Sequence, residues 1–470
     1  MNDHLKNTKL QEIIIMGGGL SGLCAAAELT QSIDDNLSLR AAATEQSTQE
    51  APSSSQRPMR WRLFEKEPFA GGLAKSETVD GYTFDMTGHW LHLRNDDMRR
   101  KVMNWMSGEV IEVTRKSRSF SRGVLTGYPF QVFLHGHEPW LILDCLKGLW
   151  EIHGRRFKKP RNFDDFIYQN FGPGIAKHFL VPYNEKLWGV HPKEITSDWC
   201  KRFVPVPPAE QILAGAVGAE LPEMGYNVKF LYPSKGGIGE LPKNIFKKLP
   251  KERIHTSCPV EKVDHLKKRI SVGGEWVNYS KLISTIPLPS LAENLIAPPK
   301  SIVEAARKLR ATSVVYLDVA IKPAVNQSYH WVYLPDRGHP FYRVGVYSNA
   351  APHMAPKNSS SLYVELAQRD ISCGLDTILG RAIPALCAMG LINSGDDIAF
   401  AQLKIIPDAY VIYDHHYNRA RNRLLRFFHQ HGIYSCGRYG SWVYNSMEDS
   451  MVEGKRTAEQ VVKDLENERK

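Results

Sequence analysis

The sequence has few of the features that mark a secreted, metal-binding or membrane-spanning protein. Its seven cysteines form no C-x-x-C pair and no cluster with histidine at zinc-binding spacing, so we expect reduced thiols, no metal site and a cytoplasmic protein. No stretch reaches the roughly 18 apolar residues that a membrane helix needs, and the mixed-charge opening from Met1 to Leu10 lacks a signal-peptide pattern. The sequence of 470 residues therefore predicts a protein without a membrane-spanning helix.

Charge of one sign is not concentrated either. Sixty Lys and Arg against 50 Asp and Glu give a net charge of +10, which favours anionic ligands. We interpret the basic residues as dispersed, with no long basic block and no basic-aromatic stripe, which argues against nucleic acid as a partner. A phosphate-bearing ligand stays open, and the subunit number does not follow from the sequence.

A glycine-rich turn near the start is the most informative feature that is present. The apolar run from Ile13 to Met16 predicts a buried strand, and a helical pattern follows the turn. Three glycines stand at the G-x-G-x-x-G spacing of a dinucleotide-binding unit, where they allow the turn, the approach of a pyrophosphate and close helix packing. The predicted cofactor contacts of this turn are Gly17, Gly19, Leu20, Ser21 and Gly22.

An acidic residue after the second strand supports a dinucleotide. Residues 31 to 60 are rich in Ser, Gln, Ala, Thr and Pro, and we predict that they form a disordered or surface insertion. When these residues are left out of the count, Glu65 stands at the sequence distance after the glycines at which an acid binds ribose hydroxyls. Its neighbour Lys66 is also predicted to contact the cofactor. The doublet Gly71-Gly72 then follows, an order that resembles flavin-binding proteins of the two-dinucleotide class, so FAD is the predicted cofactor.

The remaining pattern predicts an α/β fold: a Rossmann-like two-dinucleotide FAD-binding domain with a helical insertion and an antiparallel-sheet subdomain. We assign residues 10–95, 225–300 and 401–470 to a discontinuous FAD-binding domain, completed by a last strand and a helix that begins near Met447. Residues 96–224 are predicted to form a mainly helical substrate subdomain. Short alternating strands predict the antiparallel sheet at residues 301–400.

Several segments resemble the UDP-galactopyranose mutases and, more loosely, the amine-oxidase and protoporphyrinogen-oxidase-like flavoproteins. They are Thr87 to His92, Tyr128 to Gln131, Pro182 to Gly189, Pro340 to Arg343 with Tyr347 to Asn349, and Gly437 to Tyr444. The resemblance implies a redox-neutral isomerisation on reduced FAD, with NAD(P)H as the expected reductant. Flavin N5 would attack the anomeric carbon of a UDP-hexose, displace the nucleoside diphosphate, and hold the sugar while it recloses between pyranose and furanose forms.

The resemblance also implies catalytic residues. Arg343 and Arg202 would hold the diphosphate, because the planar fork of arginine pairs with phosphate oxygens. For Arg202, a surface ion pair is the alternative. His89 would lie near the flavin ring and tune N5 by a hydrogen bond or a proton transfer, although a lone histidine is also common in protein cores. Further cofactor contacts are expected at Gly88, Val260, Gly437, Arg438 and Met447.

Aromatic residues are the expected substrate contacts. Tyr128, Phe130 and Gln131 match the part of the mutases that receives the uracil, with a buried aromatic cluster as the alternative. The sugar and phosphate path is assigned to Tyr183, Trp188, Tyr342, Asn349, Tyr410, Tyr413 and Tyr444. The eukaryotic mutases usually show Asn-Gln-Asp at the start of the last helix, and Met447 in that region puts the identity of the sugar in question.

Two other functions stay open at this level. A FAD-dependent oxidase, dehydrogenase or desaturase of the amine-oxidase class would use the same flavin site with hydride transfer to N5. A flavin-containing scaffold protein is favoured only if the arginines do not face the flavin.

Overall fold

The computed structural model describes residues 10–46, 58–200, 204–222, 228–368 and 374–468, with the side chains of 34–46 left out. These residues form nineteen strands and fourteen α-helices, besides short 3-10 and π segments. The strands are β1 (Gln11–Met16), β2 (Met59–Phe64), β3 (Ser76–Val79), β4 (Tyr82–Asp85), β5 (Val110–Thr114), β6 (Ser117–Ser121), β7 (Val124–Gly127), β8 (Lys229–Pro233), β9 (Ile254–His255), β10 (Val260–Asp264), β11 (Arg269–Val272), β12 (Glu275–Asn278), β13 (Lys281–Ser284), β14 (Arg310–Ile321), β15 (Trp331–Tyr333), β16 (Arg343–Val346), β17 (Ser360–Gln368), β18 (Ile398–Ile412) and β19 (Ile433–Ser435). The helices are α1 (Leu20–Gln46), α2 (Asp96–Trp105), α3 (Pro139–Ile152), α4 (Phe163–Ile175), α5 (Val181–Trp188), α6 (Ala209–Ala216), α7 (Glu240–Lys247), α8 (Leu288–Glu293), α9 (Lys300–Arg307), α10 (Tyr347–Ala350), α11 (Leu375–Ala388), α12 (Tyr417–Gln430), α13 (Gly437–Gly440) and α14 (Met447–Asn467).

A five-stranded parallel sheet forms the Rossmann-like part of the fold, with the strand order β19-β13-β1-β2-β9. Strand β1 is buried on both faces. Ile13 and Ile15 belong to one core cluster, and Ile14 and Met16 belong to the cluster on the opposite face. The uninterrupted apolar run of β1 is therefore explained by its place in the middle of a parallel sheet with helices on both sides.

The first and last helices pack closely against each other beside this sheet. A Cβ atom added to Gly454 of α14 would lie 2.1 Å from the carbonyl oxygen of Ser21 in the first turn of α1. Glycine at this position lets the two backbones approach. The C-terminal strand and helix therefore complete the nucleotide-binding unit that the N-terminus begins, and α14 begins at Met447 as the sequence predicts.

A seven-stranded sheet forms the second layer, in the order β18-β14-β17-β16-β15-β6-β7. Its strands are antiparallel except for the parallel pair of β15 with β6. Apolar residues on one face pack against α11 in a separate core cluster. The helical layer of α3 to α6 has its own core, in which α4 is kinked at Gly172 (φ +73°) before Pro173.

Three details correct the sequence-based predictions. Residues 31–60 were predicted to be a disordered or surface insertion, but helix α1 continues to Gln46, so residues 31–46 are helical and not disordered. Met59 and Arg60 belong to β2, and residues 47–57 lie outside the described part of the chain. The helical substrate subdomain assigned to 96–224 also contains β5, β6 and β7, and the last two extend the seven-stranded sheet. Strand β18 pairs with β14 in that sheet, so residues 401–412 do not belong to the nucleotide-binding sheet. Strand β18 was assigned to the wrong sheet because its partner β14 is distant in the sequence.

Among the described residues, we find no helix of the length and apolar character needed to span a bilayer.

Candidate active site

The glycine-rich turn between β1 and α1 forms one side of a cradle. Gly17 has a φ of +101°, and a Cβ atom on Gly22 would lie 2.0 Å from the Gly17 carbonyl oxygen, so both positions require glycine. Gly71 closes the other side, because its N–H donates to the Gly18 carbonyl at 2.8 Å. The two glycine segments touch without side chains between them, and the N-terminus of α1 is aimed at the space that a pyrophosphate would fill.

Glu65 is fixed at the end of β2 beside this turn. Its Oε2 accepts a hydrogen bond from Gly18 N at 2.6 Å, and its Oε1 accepts one from Glu67 N at 2.9 Å. The carboxylate is buried, as expected for an acid that binds ribose hydroxyls at the end of the second strand. Lys66 points into solvent. The cradle and its buried acid fit the dinucleotide part of FAD.

The C-terminal segment docks onto the same turn. Gly437 has a φ of +79°, and a Cβ atom there would lie 2.1 Å from Ser21 Oγ. Ser446 caps α14 in a capping box with Asp449, so the helix begins at Met447 with its N-terminal dipole next to the cradle. Leu20, Ser21 and Gly437 thus meet in one place.

Arg438 packs against two neighbouring tyrosine rings. Its guanidinium carbon lies 4.8 Å from the ring centre of Tyr444 and 5.6 Å from that of Tyr410, and Nη1 donates to the Asn445 carbonyl at 2.8 Å. The backbone of Tyr444 is itself fixed, because its N–H donates to the Tyr413 hydroxyl at 2.6 Å. These contacts fix the cation at the start of the last helix.

His89 is a neutral group under the influence of both arginines. Burial and, to a smaller extent, the positive charges of Arg438 and Arg343 together lower the pKa of His89 to about 4. Its Nδ1 is buried without a hydrogen-bond partner among the described residues. A neutral imidazole with an unused nitrogen can hydrogen-bond a flavin ring. Glycine at position 88 allows the Tyr363 hydroxyl to approach the backbone, since a Cβ atom there would lie 2.5 Å from it.

Arg343 forms a two-pronged ion pair that the sequence did not reveal. It stands directly opposite Glu365 in the β16–β17 pair, and its Nε and Nη2 donate to the two carboxylate oxygens at 2.6 and 2.7 Å. Burial by itself lowers the pKa of Arg343, but the facing carboxylate outweighs burial and raises that pKa above its usual value. Glu365 is almost fully buried, so the cation is held at a fixed place.

Tyrosines surround this ion pair. The guanidinium carbon of Arg343 lies about 6 Å from the rings of Tyr342 and Tyr363. Tyr183 stacks edge-on against Tyr342 (6.2 Å) and Tyr333 (5.6 Å), and Tyr333 packs on Tyr128 at 4.5 Å between ring centres. Burial raises the pKa of Tyr183, Tyr342 and Tyr410 above the usual value, so their hydroxyls stay protonated donors. Together they line a polar, aromatic space around a cation.

Other sequence-predicted residues lie elsewhere or serve the scaffold. Phe130 is fully buried and stacks on Phe179 at 4.7 Å, and Trp188 Nε1 donates to Asn184, so the structure favours the buried aromatic cluster for both. Asn349 donates both amide hydrogens to backbone carbonyls. Gln131 is buried in the turn that follows Tyr128. The Val260 carbonyl accepts from Asn294, and Arg202 lies outside the described residues.

The residues that sequence reasoning missed are Glu365, Tyr363 and Tyr333. Strand β17 alternates, with Tyr363 and Glu365 on one face and apolar residues on the other. A charged residue on the alternating face of an inner strand was the available signal. This pattern could not identify Arg343 as the partner of Glu365, because local spacing does not determine the register between strands.

The fold and this site define a flavoprotein of the two-dinucleotide class, with a glycine cradle for the dinucleotide and a cationic, tyrosine-lined space next to it. A model of the flavin containing amine oxidoreductases matches residues 199–462, and one of NAD(P)-binding Rossmann-like domains matches residues 15–104. The chain belongs to the flavin containing amine oxidoreductase family.

Solved structures with the same fold include enzymes that are named for different reactions. A crystal structure of reduced UDP-galactopyranose mutase aligns with a TM-score of 0.85 and 26% identity, over 96% of each chain. A putrescine oxidase variant aligns with a TM-score of 0.63 and 12% identity, over 97% of this chain and 99% of the other. A fatty acid isomerase from P. acnes gives 0.60 and 12% over the same shares. The latter two show the fold alone.

Proposed function

We propose that this protein is a FAD-dependent nucleotide-sugar mutase that interconverts the pyranose and furanose forms of a UDP-hexose. The observation that carries the proposal is the mostly buried cation Arg343, held by Glu365 beside the rings of Tyr342 and Tyr363. The likeness over nearly the full chain to a UDP-galactopyranose mutase supports it.

The charges favour an anionic substrate over an amine. His89 experiences the positive charges of Arg438 and Arg343 and is itself neutral. Because Glu365 neutralises Arg343, the excess positive charge comes from Arg438, for which the described residues show no ion pair. That charge disfavours a protonated amine and attracts a diphosphate, which would also compete with Glu365 for the guanidinium of Arg343. The surrounding tyrosine hydroxyls add neutral donors for phosphate or sugar oxygens.

The protein's own residues would act by binding and orientation. The cradle of Gly17 to Gly22, Glu65 and the first turn of α14 would hold FAD, whose reduced form supplies the N5 nucleophile when bound. Arg343 would stabilise the charge that develops on the leaving diphosphate. His89 would hold a hydrogen bond at the flavin edge without adding a charge.

The test is conversion of UDP-galactopyranose by dithionite-reduced protein, followed by chromatography. Turnover should continue without further reductant after one reduction. In Arg343→Ala, UDP binding should weaken by about 2 kcal/mol, or roughly 30-fold, because a charge-assisted contact is lost. Arg337→Ala is the matched control, since Arg337 also pairs with a glutamate (Glu185) but lies exposed. Equal UDP affinity in wild type and Arg343→Ala would reject the assignment.

Net oxidation is the second candidate, and the family match to amine oxidoreductases favours it. It requires that an amine or cyclic substrate reduce the flavin and that hydrogen peroxide or a reduced acceptor accumulate in proportion. Stoichiometric peroxide with an amine, together with no conversion of any nucleotide sugar, would replace the mutase proposal.

A further inference from the structure

Helix α3 carries an exposed apolar face. Trp140, Leu143 and Trp150 recur at helical spacing on this face, and Leu143 and Trp150 keep 66% and 78% of their surface exposed. Phe157, in the loop after the helix, is 45% exposed. Single exposed apolar residues are ordinary, but four large ones along one helix and its loop are not. We call this set the α3 apolar face.

Basic residues accompany these apolar side chains. Lys147 stands between Leu143 and Trp150 on the same side of α3, and the following loop carries Arg155, Arg156 and Lys158 around Phe157. The prediction that basic residues are dispersed, without a basic-aromatic stripe, is therefore wrong for the segment 155–161, in which five of the seven residues are Lys or Arg. We call the four named residues the basic set.

The basic set is not neutralised by the rest of the protein. In the described part of the chain, no carboxylate lies within ion-pair distance of any of its four members, whereas the nearby Lys159 and Arg161 pair with Asp198 and Asp165. Two exposed carboxylates adjoin the α3 apolar face: Glu138 directly precedes the helix, and Glu151 is next to Trp150. The surface thus keeps an excess of positive charge.

The α3 apolar face is not needed to hold the helix in place. The opposite side of α3 buries Leu141, Cys145 and Gly148, and a Cβ atom on Gly148 would lie 2.6 Å from Gly174 N in α4. The helix is therefore fixed by close packing on one side and presents the other side as a rigid surface.

We propose that the α3 apolar face and the basic set form a docking surface for an anionic lipid bilayer. Tryptophan and phenylalanine side chains suit the interface between headgroups and acyl chains, and lysine and arginine attract anionic headgroups while their stems lie along apolar surface. A second copy of the chain fits this surface less well, because a symmetric contact would bring the two basic sets together. The inference does not depend on the proposed chemistry.

Vesicle sedimentation tests the proposal with the full-length holoprotein. At about 0.1 M salt, the wild type should sediment with phosphatidylcholine vesicles that contain about one-third phosphatidylserine and should be released as salt increases. Pure phosphatidylcholine vesicles should retain much less protein. Leu143→Ser/Trp150→Ser should reduce the partition coefficient about tenfold or more, and Arg155→Glu/Arg156→Glu/Lys158→Glu about a hundredfold or more.

Arg419→Glu/Arg423→Glu/Arg426→Glu is the matched control, because it changes net charge equally at exposed positions of α12. Its partition coefficient should stay within about twofold of the wild type, and flavin content should be unchanged in all variants. Absence of vesicle binding, or an equal loss in the control, overturns the proposal. Sedimentation velocity decides the remaining alternative: a wild-type dimer that Leu143→Ser/Trp150→Ser dissociates would assign this surface to a second copy instead.

Discussion

At the scale of single residues, the pairing of Arg343 with Glu365 sets the charge of the candidate substrate space. Each group satisfies the other, and both sit opposite each other on neighbouring strands. An anionic ligand must therefore share or displace a carboxylate to reach the guanidinium. Glu365 thereby limits how tightly an anion binds and keeps the arginine in one orientation between ligands.

Glu365→Gln should separate these two effects. Without the carboxylate, Arg343 lacks a counter-charge, so UDP should bind more tightly while the free energy of unfolding falls by about 2 kcal/mol. That value is below the range for fully buried pairs because Arg343 is one-fifth exposed. Calorimetric titration with UDP and urea unfolding measure the two quantities.

Glu77→Gln is the control for this variant. Glu77 also pairs with a cation, Lys404, but its side chain is more than half exposed, so its loss should change stability by less than about 0.5 kcal/mol. Weaker UDP binding in Glu365→Gln would show that the carboxylate positions Arg343 more than it competes for it.

Asp318 gives a pH-dependent prediction. Burial raises the pKa of the Asp318 carboxyl to about 7, although Lys404 Nζ lies 2.9 Å away. The pKa of this carboxyl is higher in the folded than in the unfolded state. Its contribution to the free energy of unfolding is therefore fully present below about pH 4 and is lost as the pH rises through about 7. Asp318→Asn removes that dependence. Its stability relative to wild type should be about 2 kcal/mol more favourable at pH 8 than at pH 5.

Urea unfolding at the two pH values measures this difference. Asp80→Asn, at an exposed turn position, should show the same relative stability at both. The histidines act in the opposite direction: burial lowers the pKa of His92 and His330 to about 4, so their contribution is lost as the pH falls from about 6.5 to 4. The comparison with wild type cancels their effect, and a pH-independent Asp318→Asn would contradict the raised pKa.

At the scale of elements, the contact of α1 with α14 joins the two ends of the chain at the cofactor cradle. Gly454→Ala would place a methyl group against the backbone of Ser21 and push the helices apart. We expect a loss of about 2 kcal/mol or more in stability and a lower ratio of flavin to protein absorbance.

Gly380→Ala is the matched control, because Gly380 also lies inside a helix, α11, and nothing is within 4 Å of the added Cβ. Removing this glycine should raise stability by about 0.5 to 1 kcal/mol. Full flavin occupancy in Gly454→Ala would show that the helix contact does not shape the cradle.

Elements also show where sequence patterns succeed and fail. The apolar run of β1 and the glycines after it were sufficient to predict a strand, a turn and a helix. The polar composition of residues 31–46 was misleading, because the helix α1 extends through them. Strands β6 and β7 lay in a region predicted as helical, and they join the seven-stranded sheet through β15, which is distant in the sequence.

At the scale of the whole molecule, FAD should link parts of the chain that are far apart in sequence. The cradle draws on β1, α1, the Gly71 segment and α13 with α14. Protein stripped of flavin should therefore unfold at a lower temperature. Added FAD at about 100 times its Kd should restore about 2.7 kcal/mol of stability.

NAD⁺ and riboflavin are the controls for this reconstitution. NAD⁺ shares the adenosine diphosphate part, whereas riboflavin has the ring without the pyrophosphate that the glycine cradle would hold. FAD should stabilise more than either, as followed by thermal unfolding. Stabilisation by NAD⁺ equal to that by FAD would contradict the assignment of this cradle to a flavin.

The sequence by itself determined the cofactor turn. Gly17 and Gly22 are required by a positive φ and by a close backbone contact within a few residues, and such local constraints are visible as spacing. Only the tertiary structure decided the substrate space. Arg343 meets Glu365 through strand register, and Arg438 is brought to the cofactor cradle because Gly437 packs against Ser21 of the first helix, so neither placement follows from local spacing.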